Sequence, residues 1–246
     1  MTSLTERVTA ASTGRDRVLD AVKAFALVVV VIGHSLAWHV TPSGTAVNVL
    51  EVAPGLILLT WIFQVLPLFF AAGAVSNAGS LSRSSTPDYL RHRSRRLLTP
   101  VLVYCSVWTV VLLPLTLVSE QAQPAGRFLS QLLWFAGVYL LVVAAAPVTT
   151  RWRSRPGLTL GVWLAVIVAV DVARTRGAPA AIGWLNLLLV WGWLHQLGYG
   201  LPRLRAYRRR WTGMAAFGLL AGAVVIAVVG PYSSSLVSVS GDPELS

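Results

Sequence analysis

Residues 16–39 read Asp16-Arg-Val-Leu-Asp-Ala-Val-Lys-Ala-Phe-Ala-Leu-Val-Val-Val-Val-Ile-Gly-His-Ser-Leu-Ala-Trp-His39, a charged entry that runs into a hydrophobic segment carrying a histidine. Ten uncharged residues separate Lys23 from His34. Eleven helical steps are about 16.5 Å of rise and about three whole turns, so Lys23 and His34 share a face. Asp20, fourteen residues before His34, falls about 40° from it in projection and joins the same stripe. Val18 to Val40 is long enough to span a bilayer and lacks a small-residue cleavage pattern, which separates it from a signal peptide. An ionisable group inside a span is expensive and normally faces a bundle interior or a wet cavity, so His34 is expected buried inside a bundle. Two readings of it stand at this point, a chemical group and a simple interhelical hydrogen bond.

Working outward, six more apolar runs follow, at about 52–76, 98–118, 128–148, 157–173, 182–201 and 212–230. Each is near the ~20 residues needed to cross the hydrocarbon core. With 55% hydrophobic and 12% charged residues, the chain has too little polar surface for a soluble globule of 246 residues. The expected fold is an all-α, polytopic transmembrane helix bundle of about seven spans, covering 18–230, with polar ends at 1–17 and 231–246. Seventeen of the twenty Lys and Arg fall on one side if the N-terminus is cytosolic, and only Arg127, Arg174 and Arg176 on the other. The positive-inside rule therefore puts the N-terminus in the cytosol and the C-terminus outside. The net charge of +11 is spread in short clusters between apolar runs. Topology explains it, and nucleic acid is not an expected partner; the lipid bilayer is.

Soluble catalytic signatures of the GxSxG, HExxH and Walker kinds are absent from the sequence. His34, His39, His92 and His195 are not clustered with carboxylates or thiols at ligand spacing, so no metal is expected. One cysteine, Cys105, excludes an intramolecular disulfide and reads as packing. Before the third apolar run comes Tyr89-Leu-Arg-His-Arg-Ser-Arg-Arg-Leu-Leu-Thr-Pro100. Arg93 and Arg96, three apart, point the same way if the helix begins early. Paired guanidinium groups suit a phosphate-bearing ligand, and topology alone is the other reading. His195, on the inner half of the sixth run, reads as an interhelical hydrogen-bonding group. Pro67 is expected to kink the second helix, with Gln64 or a neighbour serving the freed carbonyl, and Gly73, Asn77 and Gly79 to allow close packing.

The Lys23-x10-His34 spacing, set in Arg17-Val-Leu-Asp20-Ala-Val-Lys23 and Gly33-His34, resembles the R/K-x10-H signature of the acyltransferase 3 family of membrane acyltransferases. Arg93-Ser-Arg-Arg96 is similar to that family's RxxR motif. Pro67-Leu-Phe-Phe-Ala-Ala-Gly73 and Leu133-Trp-Phe135 with Tyr139 resemble its FF-x-x-S-G and LWF elements, and His195-Gln-Leu-Gly198 is similar to a stretch of some members. Ala72 stands where the family often has Ser, and no His precedes the LWF element. The resemblance implies transfer of an acyl group, often acetyl, from cytosolic acyl-CoA as co-substrate to a hydroxyl acceptor on a glycan or small molecule, at the cell membrane and with no bound cofactor. On it, His34 is the catalytic base or transient acyl carrier. Arg93 and Arg96 hold the CoA phosphates, and Lys23 and Asp20 join them as substrate-binding residues, Asp20 orienting basic groups at the cavity mouth. A Lys23 that only snorkels to the interface and an Asp20 that only pairs with Lys23 or Arg17 are the other readings. Members usually carry about ten spans, which implies that roughly the last three helices are missing and that this chain is C-terminally truncated. A proton-coupled transporter using His34 and Asp20 is the alternative from another class.

Overall fold

The computed structural model describes residues 17–36, 38–42, 46–62, 64–118, 133–179 and 181–204, together with 218, 221, 222 and 225. The chain divides into two compact units, one of residues 1–72 and 204–246 and the other of 73–203.

In the first unit α1 runs Arg17–Leu36. Its Val28-Val-Val-Val-Ile32 stretch would favour a strand in water. A span must pair its backbone internally, and that requirement outweighs side-chain preference. Leu19 and Ala26, seven apart, are the buried positions of α1. The helix stops at Leu36, four residues short of the expected end of the first run, and the chain turns into a hairpin. Strands β1 (Trp38–Val40) and β2 (Ala46–Asn48) pair antiparallel, with Trp38 opposite Asn48 and Val40 opposite Ala46. Asn48 then caps the short helix α2 (Val49–Val52), its Oδ1 accepting from the Leu50 N–H at 3.0 Å. A 3-10 turn at Pro54–Leu56 leads into α3 (Ile57–Ile62).

The expected kink at Pro67 is instead a break. Helix α4 starts afresh at Leu66 and runs to Leu81, with the boundary between the units falling inside it. Pro67 occupies its first turn, where a missing N–H leaves no bond unmade. The Phe69 N–H opens the helical pattern on the Val65 carbonyl at 3.1 Å.

The second unit contains the end of α4, then α5 (Thr86–Val118), α6 (Leu133–Thr149), a 3-10 turn (Thr150–Ser154), α7 (Pro156–Thr175) and α8 (Ala181–Gly198). Helix α5 starts twelve residues before the apolar run predicted there. Ser85 is the reason: its Oγ accepts from the Asp88 N–H and donates to the Asp88 carboxylate. The first bond is that of an N-cap serine, the carboxylate taking the hydroxyl in place of the backbone N–H that a capping box would use, and Pro87 lies inside the first turn. Helix α6 packs on α5 and α8, and α8 packs on α7. Val138, Tyr139, Val142, Val143 and Ala146 form the buried stripe of α6. Gly192 lies under the Trp163 indole, close enough that a Cβ there would meet the ring at 2.7 Å. At the α7–α8 turn Gly177 has φ +92°. The Ala178 N–H reaches the Ala173 carbonyl and the Gly177 N–H that of Arg174, a Schellman end in which the left-handed position suits glycine.

Among the described residues, 54–81, 86–115, 133–154 and 156–175 are long and apolar enough to cross a membrane. They coincide with four of the seven predicted runs. Two others form α1 and α8, and the last, 212–230, lies almost wholly outside the described residues. The protein is thus a polytopic helical membrane protein, all-α apart from the β1–β2 hairpin among the described residues.

Candidate active site

Asp20, Lys23 and His34 lie in the first unit, Arg93 and Arg96 in the second. On α1, Lys23 and His34 fall about 40° and 60° from Leu19 in projection and Asp20 about 100°. The ionisable stripe therefore borders the buried edge that Leu19 and Ala26 define. Asp20 and Lys23 are half-buried. His34 is exposed, where the sequence pattern predicts a buried imidazole. The physical reason is its place along the axis: the stripe continues past the stretch of α1 that is covered, and His34 stands two residues from the helix end.

The early start of α5 puts both arginines on that helix, as the RxxR spacing needs. They share a face but not a setting. The Arg93 Nη2 donates to the Ser76 main-chain carbonyl on α4 at 3.0 Å, and its guanidinium lies 5.9 Å from the centroid of the Tyr89 ring, one turn back. Arg96 is exposed. Arg93 is therefore held by structure, and Arg96 is open to an anion.

Tyr89 explains how Arg93 is seated. It is fully buried, and its hydroxyl donates to the Val143 carbonyl at 3.2 Å. Four residues further along α6 stands Pro147, which has no N–H to give that carbonyl. The tyrosine supplies the bond that the proline removes, and its ring then lies beneath the guanidinium. Sequence reasoning passed over this pair, although a proline inside an apolar run always announces a carbonyl in need of a donor.

The same turns of α4 meet two further helices. A Cβ on Gly73 would lie 2.7 Å from the Tyr139 hydroxyl of α6, so only glycine admits that side chain. Asn77 lies 3.0 Å, Nδ2 to Nε2, from His195 of α8. The predicted interhelical bond of His195 and close packing at Gly73 and Asn77 are both found, and His195 is the fully buried imidazole of this unit. Its ring stands edge-on to Tyr199 at 5.2 Å, and the Tyr199 hydroxyl accepts from Thr150 Oγ1 at 2.8 Å. Phe135 stacks on Tyr139 at 6.1 Å. Motifs that are weak singly thus converge: Gly73, Arg93, Phe135 with Tyr139, and His195 are joined through about one turn of α4, Gly73 to Asn77. Among the described residues no group of three or more His, Cys, Asp or Glu could hold a metal ion.

An acyltransferase domain, that of the acyltransferase 3 family, matches residues 16–244, nearly the whole chain. The chain belongs to this family. As an acyltransferase of the membrane, it transfers acyl groups, which decides for the enzyme over the transporter alternative. No curated protein and no solved structure is matched by this acyltransferase.

Proposed function

We propose that this acyltransferase moves an acyl group, in the first instance acetyl, from cytosolic acyl-CoA to a hydroxyl of a glycan or small molecule at the cell membrane. The observation that carries this reading is the ionisable stripe of α1. Lys23 and His34 recur on one face about three turns apart, and a second helix, α5, carries the Arg93–Arg96 pair in its third turn. In the proposed topology the N-terminus and the arginine-rich turns are cytosolic, the chain crosses the bilayer seven times between residues 18 and 230, and the C-terminus is outside.

In the proposed reaction Arg96, with Arg93 anchored beside it, binds the CoA phosphates, for which two guanidinium groups are suited. Lys23 and Asp20 line the donor's way in. His34 acts as the general base: its imidazole takes the proton of the acceptor hydroxyl as that oxygen attacks the thioester carbonyl. The C–O bond forms and the C–S bond breaks. The departing CoA thiolate recovers the proton from the imidazolium. In the covalent variant the His34 nitrogen attacks first and the acyl group passes from imidazole to alcohol. No bound cofactor is required in either.

The test is acyl-CoA-dependent acylation of a panel of glycan and small-molecule acceptors by membranes carrying His34→Ala. Loss of transfer at normal expression supports the assignment; transfer near the parent rate removes His34 from the mechanism.

A further inference from the structure

Ser76 and Asn77 are consecutive on α4 and serve two different helices. The Ser76 carbonyl receives Arg93 from α5, and the Asn77 amide meets His195 of α8. Asn77 is 0% exposed and His195 1%. With the amide turned as found, Nδ2 donates to the lone pair on Nε2; turned over, Oδ1 accepts from Nε2–H. As the amide is found, its buried Oδ1 keeps no hydrogen-bond partner among the described residues. Apolar neighbours would fill this contact more cheaply, since such an atom destabilises by about 1–3 kcal/mol. What a buried polar pair adds is selectivity: it accepts one rotation of a helix where apolar surfaces tolerate several.

That rotation is what Arg93 depends on. Turning α4 by one residue to part Asn77 from His195 would swing the Ser76 carbonyl by about 100°. The Arg93 Nε is buried and has no partner among the described residues, so the bond from Nη2 fixes the fork. We infer that Asn77 and His195 are positioning residues for Arg93: they hold α4 at the rotation in which the Ser76 carbonyl receives the guanidinium, and so aim it. The inference rests on the proposed role of Arg93 in binding the acyl donor. Neither Asn77 nor His195 has to touch that donor.

The experiment measures binding of radiolabelled acetyl-CoA to the purified full chain in lipid nanodiscs, with thermal stability followed in parallel. His195→Ala is expected to weaken binding about fivefold, the worth of one ordinary hydrogen bond. His195→Gln, whose amide can still meet Asn77, restores binding to within about twofold of the parent. In an Arg93→Ala background, His195→Ala adds nothing further, because the residue acts through the arginine. Asn77→Ser, a smaller change that also removes the amide, gives the same loss and serves where His195→Ala does not fold. Equal losses with and without Arg93 overturn the inference, as does unchanged binding in both His195→Ala and Asn77→Ser. Binding unaffected by Arg93→Ala overturns the donor role itself and the positioning role with it. That result is distinguishable, since it appears in the arginine variant alone.

Discussion

Helix α1 and the turns around α4 carry polar groups in opposite ways. On α1 the groups come from one helix: Asp20, Lys23 and His34 repeat along a stripe that is half-buried at its start and exposed at its end. In the second unit they come from four helices, each giving one or two, and the most deeply placed, Tyr89, Asn77 and His195, are sealed from solvent. The first arrangement leaves its imidazole uncovered by the described residues, as the proposed chemistry needs. The second suits alignment, because its hydrogen bonds from Arg93, Tyr89 and Asn77 each need a partner on another helix.

The contrast breaks first at His34. If the stripe is chemical, His34→Ala lowers the turnover rate at least about 100-fold, the lower range for loss of a general base, with protein levels in membranes unchanged. The buried imidazole should behave otherwise: His195→Ala keeps most of the turnover rate and weakens donor binding, as set out above. Second comes Arg93. Removing its charge-assisted bond to Ser76 and its donor contact together is expected to weaken acetyl-CoA binding by roughly 10- to 100-fold, and Arg93→Lys to recover only part, since an ammonium lacks the planar fork. Binding isotherms in nanodiscs measure both.

How much of this was legible in the sequence follows the same division. Periodicity along one helix needs only the local chain, so the α1 stripe, most apolar runs and the spacing of Arg93 and Arg96 were readable. The Asn77–His195 bond joins residues 118 apart, and no pattern in either helix announces its partner. The exposure of His34 and the unequal settings of Arg93 and Arg96 depend on where neighbouring elements stop, which spacing does not encode. The start of α5 was readable in principle from Ser85, Pro87 and Asp88, but the hydrophobic run drew the boundary to 98. Ala72, where the family often has serine, is buried and apolar here.

Two glycines sharpen the comparison at smaller magnitudes. Gly73→Ala places a methyl 2.7 Å from the Tyr139 hydroxyl and is expected to destabilise by about 1–3 kcal/mol as overpacking. Thermal unfolding in detergent would show it, and Tyr139→Phe in the same chain should recover much of the loss by removing the oxygen concerned. Gly33, beside His34, has nothing within 4 Å of where its Cβ would stand. Gly33→Ala should leave the melting temperature unchanged or slightly raised, since alanine is the better helix former by about 1 kcal/mol. A marked loss there would mean that the end of α1 is more tightly packed than its exposure indicates.

The Schellman end at Gly177 bears on how the molecule is made. Because the turn closes α7 with main-chain bonds of its own, α7 and α8 can enter the bilayer as a ready-joined hairpin, delivering His195 well after Asn77. Asn77 has by then left the ribosome 118 residues earlier. At roughly 5–20 residues per second, its amide waits on the order of ten seconds for the imidazole. Insertion of this protein thus includes an interval in which the Asn77 amide has not yet met its imidazole.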